Sequence, residues 1–278
     1  MNIVKSGMAR LMDANRDLVA RMNRNFEVLG QGRRVTHPKH DPVAYREIEM
    51  HRDAFEKLEV FSNNLNAAGS TVRVAMASMD MSDSNLRLME QKLRDAVFYP
   101  AGSTERENHL REYDRLLPLL DDIARSPDDG ARRLLDSPDN YASAGDIFVN
   151  AGSDGLKLTL RAQPIHVGED GLNVKALDDP AATTDEQIRE HLDALELARG
   201  TLLEKRKALG IDASTIEKSI TFNKVIVNQN KSAAERMDQP DLNREAILAT
   251  ALGVRRDIAI NGISALSSNA ELALQLLR

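Results

Sequence analysis

Apolar positions near the N-terminus recur at intervals of three, four or seven residues, the spacing that places them on one face of an α-helix. The pattern runs from about Ser6 to Leu29. Its apolar members are Met8, Leu11, Leu18, Met22, Phe26 and Leu29. Gly30-Gln31-Gly32 follows, so we expect the first helix to stop there. The segment up to Pro42 predicts a loop, because Pro38 and Pro42 each disfavour helix in the residue before them.

The longest helical pattern opens at Asp41-Pro42, where Asp is a plausible cap and Pro fits the first turn. It carries a two-position heptad repeat. The first position holds Leu58, Leu65, Val72, Met79, Leu86 and Leu93, and the second holds Phe61, Ala68, Ala75, Ser82, Met89 and Ala96. A repeat of this kind is typical of a coiled coil. Tyr99-Pro100-Ala101-Gly102 should end the helix.

The middle of the chain changes character. We expect a third helix to begin at Ser103-Thr104, and turn-rich sequence follows at residues 126–130 and 137–140. Only between about 144 and 178 does the apolar period shorten to two. Segments 146–150, 156–160 and 172–176 are separated by glycine-rich turns, and they predict a small sheet of two or three strands.

Helical pattern returns at Thr184 and persists nearly to the end of the chain. Its apolar positions repeat by sevens at Leu195, Leu202, Leu209 and Ile216. Gln239-Pro240 interrupts the pattern, and Asp241 is placed to cap the last helix. The apolar stripe of that helix comprises Leu248, Leu252, Ala259, Ile263, Leu266, Ala270, Leu274 and Leu277.

These elements predict a mainly α fold, a long antiparallel helical coiled-coil bundle formed by the N- and C-terminal segments with a small β-hairpin in the middle. We expect residues 1–41 and 242–278 to pair as terminal helices. We expect residues 42–241 to form a helical bundle domain that includes the β region at about 144–178.

Composition agrees with long, laterally packed helices, because aromatic residues are only 4% of the chain while charged residues reach 29%. The absence of cysteine excludes disulfides and thiolate metal ligands. No run of 18 or more apolar residues exists, so we expect no membrane insertion. The N-terminus also lacks the apolar core of a cleaved secretory signal.

The formal net charge of −6 is unevenly spread. Residues 1–34 carry a net charge of +4, and residues 101–200 carry −10. The basic end could suggest nucleic acid. Its arginines are interleaved with the apolar stripe, however, and aromatic residues for stacking on bases are scarce. We therefore expect no nucleic-acid partner.

Few residues of the sequence are candidates for metal binding or catalysis. His37-x-x-His40-Asp41 could be read as metal ligands, but two histidines in a proline-flanked loop more often face solvent. His51, His109, His166 and His191 are scattered over different elements, so no catalytic triad can be argued. We expect a protein that is not an enzyme, with no catalytic, cofactor-binding or metal-binding residues.

Apolar faces at both chain ends point to association. Chain ends normally fray unless they are tied down, and a two-helix pair buries only part of such faces. An exposed remainder predicts an association surface, and a head-to-tail contact that does not close gives an open helical polymer. The candidate subunit-assembly residues are Met8, Leu11, Leu18, Met22, Phe26, Leu29, Arg33, Arg34, Leu252, Ala259, Ile263, Leu266, Leu274 and Leu277.

Several segments resemble the bacterial flagellin family. Residues 29–44, with Arg33-Arg34 and Asp41-Pro42-Val43-Ala44, resemble the flagellin stretch LSTGKRINSAKDDPAG. Residues 63–76 occupy the place of a second conserved helical block, and Leu276-Leu277-Arg278 is similar to the flagellin C-terminal ending. The central hairpin region is similar to that of compact α-proteobacterial flagellins. His40 departs from the pattern, since the family usually has Asp there.

The resemblance implies a structural subunit that self-assembles into the flagellar filament for motility. It implies export through the flagellar type III apparatus without a cleaved signal peptide, and an extracellular location. The implied partners are other copies of the chain, hook-associated proteins, the export apparatus and an export chaperone. Two alternatives stay open: the related hook–filament junction (hook-associated) protein, and a cytoplasmic coiled-coil adaptor unrelated to motility.

Overall fold

The structure, a computed structural model, describes residues 2–152 and 155–275, with the backbone alone for residues 2–6, 8 and 270–275. The chain is mainly helical, at 73%, and has a small two-stranded antiparallel hairpin, which confirms the predicted fold class at this level. The elements within the described ranges are α1 (Asn2–Gln31), α2 (Pro42–Val97), α3 (Thr104–Arg125), α4 (Asp129–Leu135), β1 (Ile147–Asn150), β2 (Lys157–Leu160), α5 (Asp185–Asp238) and α6 (Leu242–Gln275).

The predicted stop and start signals act as expected at the ends of three helices. Gly32 follows α1 with a φ of 62°, a left-handed conformation that glycine adopts without a steric cost. Asp41 caps α2, because its Oδ1 accepts from the Ala44 backbone N–H at 3.0 Å. Asp241 caps α6 in the same way, accepting from the N–H of Arg244 at 3.1 Å.

The seven-residue helix α4 lies between the two predicted turn-rich segments, 126–130 and 137–140, and overlaps the first at Asp129 and Gly130. Asp128 caps it by accepting from the N–H of Ala131 at 3.0 Å. Ala131, Leu134 and Leu135 are fully buried, at a spacing of three and four residues. This short apolar face is hidden in the sequence between two turns.

The hairpin pairs Ile147 with Leu160 and Asn150 with Lys157 in antiparallel register. The third predicted strand, 172–176, does not join the described sheet. Asn173 explains this, because its φ of 52° interrupts the extended backbone that a strand requires.

Close contacts divide the chain into two units. The terminal unit comprises Met1–Phe55 and Asn228–Arg278, and the central unit comprises Glu56–Val227. Because α2 and α5 run unbroken through this division, no loop marks it in the sequence. The predicted boundaries at 41/42 and 241/242 coincide with the first residues of α2 and α6.

The predicted heptad stripe forms a large part of the core of the central unit. On α2 every first-position residue from Leu65 to Leu93 is fully buried, and on α5 the matching leucines are at most 2% exposed. Arg199 bonds Asp83 and Arg206 bonds Asp80, so residue numbers rise along α5 as they fall along α2. Helix α3 completes the core through residues such as Tyr113, which is also fully buried.

In the terminal unit α1 and α6 pack against each other. Asn25, near the end of α1, donates to the backbone oxygen of Glu245, near the start of α6, at 3.0 Å. From this contact, α1 extends back toward its N-terminus and α6 extends on toward its C-terminus. Because the two helices stay packed together, they run in opposite directions. A separate apolar cluster joins Val35, Ala44, Ile48 and Ala234. None of the helices in the described ranges is both long and apolar enough to cross a membrane.

Candidate association surface

Most candidate residues on α1 contact the rest of the terminal unit. Leu11, Leu18, Met22 and Leu29 are half-buried, as expected for one face of a helix that packs on a single partner. Phe26 is different, with 54% of the residue exposed. The buried positions near the end of α1 are taken instead by Asn25 and Val28. The side chain of Met8 lies outside the described residues.

The candidates on α6 form the opposing face of the helix pair. Leu252 is buried, and Ala259, Ile263 and Leu266 are half-buried at the same helical spacing. The side chain of Leu274 and the whole of Leu277 lie outside the described residues. Leu248, which belongs to the same predicted stripe, is exposed.

A second apolar row on α6 remains exposed. Ile247, Val254 and Ile258 are separated by seven and four residues, so they share the outer face of the helix. They are 71%, 55% and 65% exposed. Leu242, Leu248 and Ile260 are also exposed on this helix. We call Ile247, Val254 and Ile258 the outer row, and sequence reasoning missed it because it followed only the stripe that reaches the chain end.

A buried polar contact lies between the two terminal helices. The Asn25 Nδ2 atom donates to the backbone and side-chain oxygens of Glu245, and the residue is only 3% exposed. Its Oδ1 has no hydrogen-bond partner within the described part of the chain. A buried amide of this kind disfavours other alignments of two helices, because a shift would leave its donor unpaired as well.

The two candidate arginines bind within the chain. Arg33 Nε lies 2.7 Å from Asp238 Oδ2, at the end of α5. Arg34 donates through Nε to the Met237 backbone oxygen at 2.8 Å, and through its backbone N–H to the Asp238 oxygen. Arg52 Nη2 adds a third arginine contact to this pair of residues, 2.9 Å from Asp238 Oδ2. These contacts fasten the segment after α1 to the end of α5.

The histidines of the same loop make separate contacts. His37 Nε2 lies 3.0 Å from Glu27 Oε1, and His40 Nδ1 lies 3.1 Å from Thr36 Oγ1. Burial and the nearby charge of Arg24 lower the pKa of His40. Across the described ranges, no cluster of three or more His, Cys, Asp or Glu residues could hold a metal ion.

A cavity of about 470 Å³ opens beside Asp238. Arg52 and Lys231 on its wall are matched by Glu235 and Asp238. Since the opposing charges lie on the same wall and Arg52 is already bonded to Asp238, the cavity favours neither anions nor cations. Within the described part of the terminal unit, the outer row on α6 is a set of three exposed apolar side chains that share one helix face.

Comparison of the chain with models of known protein families gives no match, and comparison with curated proteins gives no similar sequence. The likeness to flagellins therefore rests on the motif residues given above.

Proposed function

We propose that this chain is a flagellin-type structural subunit that polymerises with itself into an extracellular flagellar filament and has no catalytic role. The observation that carries the proposal is the outer row on α6. Burying one isoleucine side chain is worth about 1.5–3 kcal/mol, so three neighbouring exposed side chains favour association strongly. A row of this kind on a terminal helix is typical of an interface.

Self-association is favoured over a different partner by the form of the terminal unit. Its two helices bury one apolar face between them and leave a second face on α6 open. A copy of the same chain can cover that face with its own terminal helices. If the two contacting surfaces differ, the contact repeats without closing and gives a filament.

The flagellin-like loop supports the same proposal. Arg33, Arg34 and Asp41 belong to the segment that resembles the family, and all three take part in the polar contacts around Asp238 and Met237. The loop thereby holds the terminal helix pair at a defined place on the ends of α2 and α5 within the terminal unit. A fixed geometry there suits a subunit that must repeat without variation.

The finer architecture also belongs to this proposal. We infer that α2 and α5 form an antiparallel coiled coil with α3 as a third helix of the bundle. The buried heptad positions and the Asp83–Arg199 and Asp80–Arg206 pairs favour this arrangement. Export without a cleaved signal through the flagellar type III apparatus, aided by an export chaperone, and capping by hook-associated proteins complete the proposed biology.

Seeded polymerisation tests the proposal. Fragments of filament sheared from cells are added to the purified chain, and growth is followed by electron microscopy and light scattering. The wild-type chain should extend the fragments without limit. Ile258→Asp should stop growth, because a carboxylate cannot be buried unpaired in an apolar contact. Ser264→Asp is the matched control, since it adds the same charge at another exposed position of α6.

Three results would count against the proposal. Growth of Ile258→Asp at the wild-type rate would show that the outer row is not in the contact. A wild-type chain that binds fragment ends once and then stops would favour the hook–filament junction protein. Absence of the chain from sheared surface fractions of cells would favour the cytoplasmic adaptor. Deleting residues 1–30 or 250–278 should also abolish polymerisation.

A further inference from the structure

Helix α2 carries a second apolar repeat, two residues after the buried heptad positions. Its members are Val60, Ala67, Val74, Met81 and Leu88, all in the central unit. Val60, Met81 and Leu88 are 57%, 60% and 40% exposed. Ala67 is also exposed, and Val74 is half-buried. Because two helical residues span about 200°, this repeat lies on the side of α2 that is turned away from the core.

The positions three residues after these five are all uncharged and exposed. They are Asn63, Ser70, Ala77, Ser84 and Gln91. We call the first set the first positions, this set the second positions, and both together the α2 seam. The seam runs along about 48 Å of helix without a charged residue, although 29% of the chain is charged. A two-position repeat of seven residues is the pattern that packs against another helix, so we expect a helix to cover the seam.

The corresponding face of α5 does not match the α2 seam. Two residues after its buried heptad positions, α5 carries Leu197, Glu204, Ile211, Lys218 and Val225. If α5 of another copy lay on the seam, Glu204 and Lys218 would be pressed against apolar side chains, which costs desolvation of two charges. The α2 seam of a second copy brings no charge into the contact. The seam is therefore better matched to itself than to the other long helix of the central unit.

An antiparallel arrangement of two α2 seams places large side chains against small ones. In such a pair each first position of one helix faces a second position of the other. Val74 then faces Ala77 of the second copy, and Met81 faces Ser70 of the second copy. A parallel arrangement would instead set Met81 against Met81 and Ser70 against Ser70, which leaves a gap at the small pair. Side-chain size therefore favours the antiparallel direction.

Charges along one edge of the seam are complementary in the same alignment. In an antiparallel pair this edge faces its own equivalent, so Arg73 meets Asp80 of the second copy and Glu59 meets Arg94 of the second copy. Symmetry makes each contact occur twice. Asp80 bonds Arg206 of its own chain at 2.8 Å, and 52% of its side chain is still exposed to a second arginine. The exposed residues of this edge, again seven apart, are Glu59, Asn66, Arg73, Asp80, Arg87 and Arg94.

We propose that two copies of this chain form a closed two-fold dimer in which their α2 seams pack antiparallel. The contact joins the same surface on both copies, so it closes after two subunits and does not propagate. It differs in this respect from the head-to-tail contact of the proposed filament, and it does not use the outer row on α6. The dimer covers an apolar seam that otherwise faces water. It goes beyond the proposed function and does not depend on it.

Sedimentation equilibrium of the purified full-length chain, over about a hundredfold range of concentration, tests the dimer. The wild type should follow a monomer–dimer equilibrium. Arg73→Asp places two like-charge pairs across the seam and should weaken the dimer by about tenfold or more. Adding Asp80→Arg to Arg73→Asp makes the facing charges opposite again, so the double variant should dimerise like the wild type. Leu203→Glu, at a 62% exposed residue of α5 outside the seam, should not change dimerisation.

Crosslinking tests the antiparallel direction, because the chain has no cysteine of its own. Ala77→Cys lies beside the proposed two-fold axis, so a short bismaleimide should join two copies. Asn63→Cys lies about 38 Å from its equivalent along an antiparallel pair and should not crosslink. Both positions are exposed, so the fold of the monomer should be kept. A parallel pair would crosslink at both positions.

Ile258→Asp separates the dimer from the proposed filament. It should stop filament growth and leave dimerisation unchanged, because the outer row takes no part in the two-fold contact. Loss of the dimer in Ile258→Asp would overturn the proposal. A wild type that stays monomeric, a double charge variant as weak as Arg73→Asp, or equal crosslinking of Asn63→Cys and Ala77→Cys would overturn it as well.

Discussion

Arg33 donates through Nε to Oδ2 of Asp238 at 2.7 Å, which joins two residues 205 positions apart in the sequence. Only 7% of the Asp238 side chain is exposed. Its other oxygen accepts from the Val35 backbone N–H at 3.2 Å. One carboxylate therefore holds the loop after α1 to the end of α5, and Arg52 neutralises it from α2.

Asp238→Asn should destabilise the terminal unit by about 1–3 kcal/mol, since it removes the acceptor charge from two arginine contacts in a largely buried place. Hydrogen exchange at the Val35 amide and denaturant unfolding measure the loss. Asp53→Asn, at an exposed position of α2, is the control and should change stability by less than about 0.5 kcal/mol. Equal effects of the two substitutions would show that the Asp238 contacts contribute nothing specific.

Met79 and Met81, two residues apart on α2, differ in burial and allow a matched test of core packing. Met79 is fully buried in the main core, whereas Met81 is 60% exposed. Met79→Ala should cost about 2–5 kcal/mol, because it removes buried apolar contact and leaves a cavity. Met81→Ala should change stability by less than about 0.5 kcal/mol. Thermal or denaturant unfolding compares them, and a similar loss from both would contradict the burial of the heptad stripe.

Gly171 and Gly200 should respond in opposite directions to alanine. A Cβ at Gly171 would lie 2.0 Å from the His166 backbone oxygen, so Gly171→Ala forces the backbone between His166 and Gly171 to distort. We expect a loss of at least about 2 kcal/mol, or failure to fold. Gly200 lies inside α5 with no atom within 4 Å of such a Cβ, and Gly200→Ala should stabilise the chain by about 0.5–1 kcal/mol through helix propensity. Circular dichroism during unfolding measures both changes.

The pKa of Asp212 on α5 predicts how the free energy of unfolding changes with pH. Burial raises its pKa, the bond from the Arg161 N–H opposes that shift, and the nearby charge of Asp146 adds to the rise. A carboxyl group with a raised folded-state pKa stabilises the protein at low pH, and this contribution is lost as pH rises through the folded-state pKa. Asp212→Asn keeps an acceptor for Arg161 and cannot ionise.

The variant should therefore be more stable than the wild type at pH 7, by a few tenths to about 1 kcal/mol at this half-buried, partly screened site. The difference should shrink as pH falls toward 4. Asp193→Asn, exposed on the same helix, should leave the wild-type pH profile unchanged. Unfolding curves at several pH values measure the stability difference between Asp212→Asn and the wild type. A variant less stable than the wild type at pH 7 would refute the burial argument.

Heptad spacing predicted the longest elements well because helix period and burial are local and repetitive. The leucines that repeat along α2 and α5 are buried as expected, and Asp41 and Asp241 cap the helices that follow them. Short elements were harder. Helix α4 was not predicted, since three apolar residues between Pro127 and Pro138 carry little periodic signal. The third strand failed at Asn173, which has a left-handed φ of 52° and donates its N–H to the Gly168 backbone oxygen at 3.0 Å.

The candidate association surface stays a prediction. The sequence marked the apolar faces of α1 and α6, and the structure shows that Leu252 and its neighbours face the other helix. The sequence pattern did not separate Leu252 and its neighbours from the outer row, because a helix that is apolar on two sides has no single stripe. It also did not indicate that Arg33 meets Asp238 within the chain.

The sequence by itself determined what depends on neighbours a few residues apart: the helices, their caps, the hairpin and the mainly helical class. Only the tertiary structure decided which apolar face of α6 is covered and which charges meet across 200 residues. It also decided that His166 Nδ1 accepts a hydrogen bond from the Gly168 backbone N–H. The physical reason is that periodicity and capping act within a few turns of one helix. Burial and ion pairing depend on which distant segment arrives at a given face, and no local pattern specifies that.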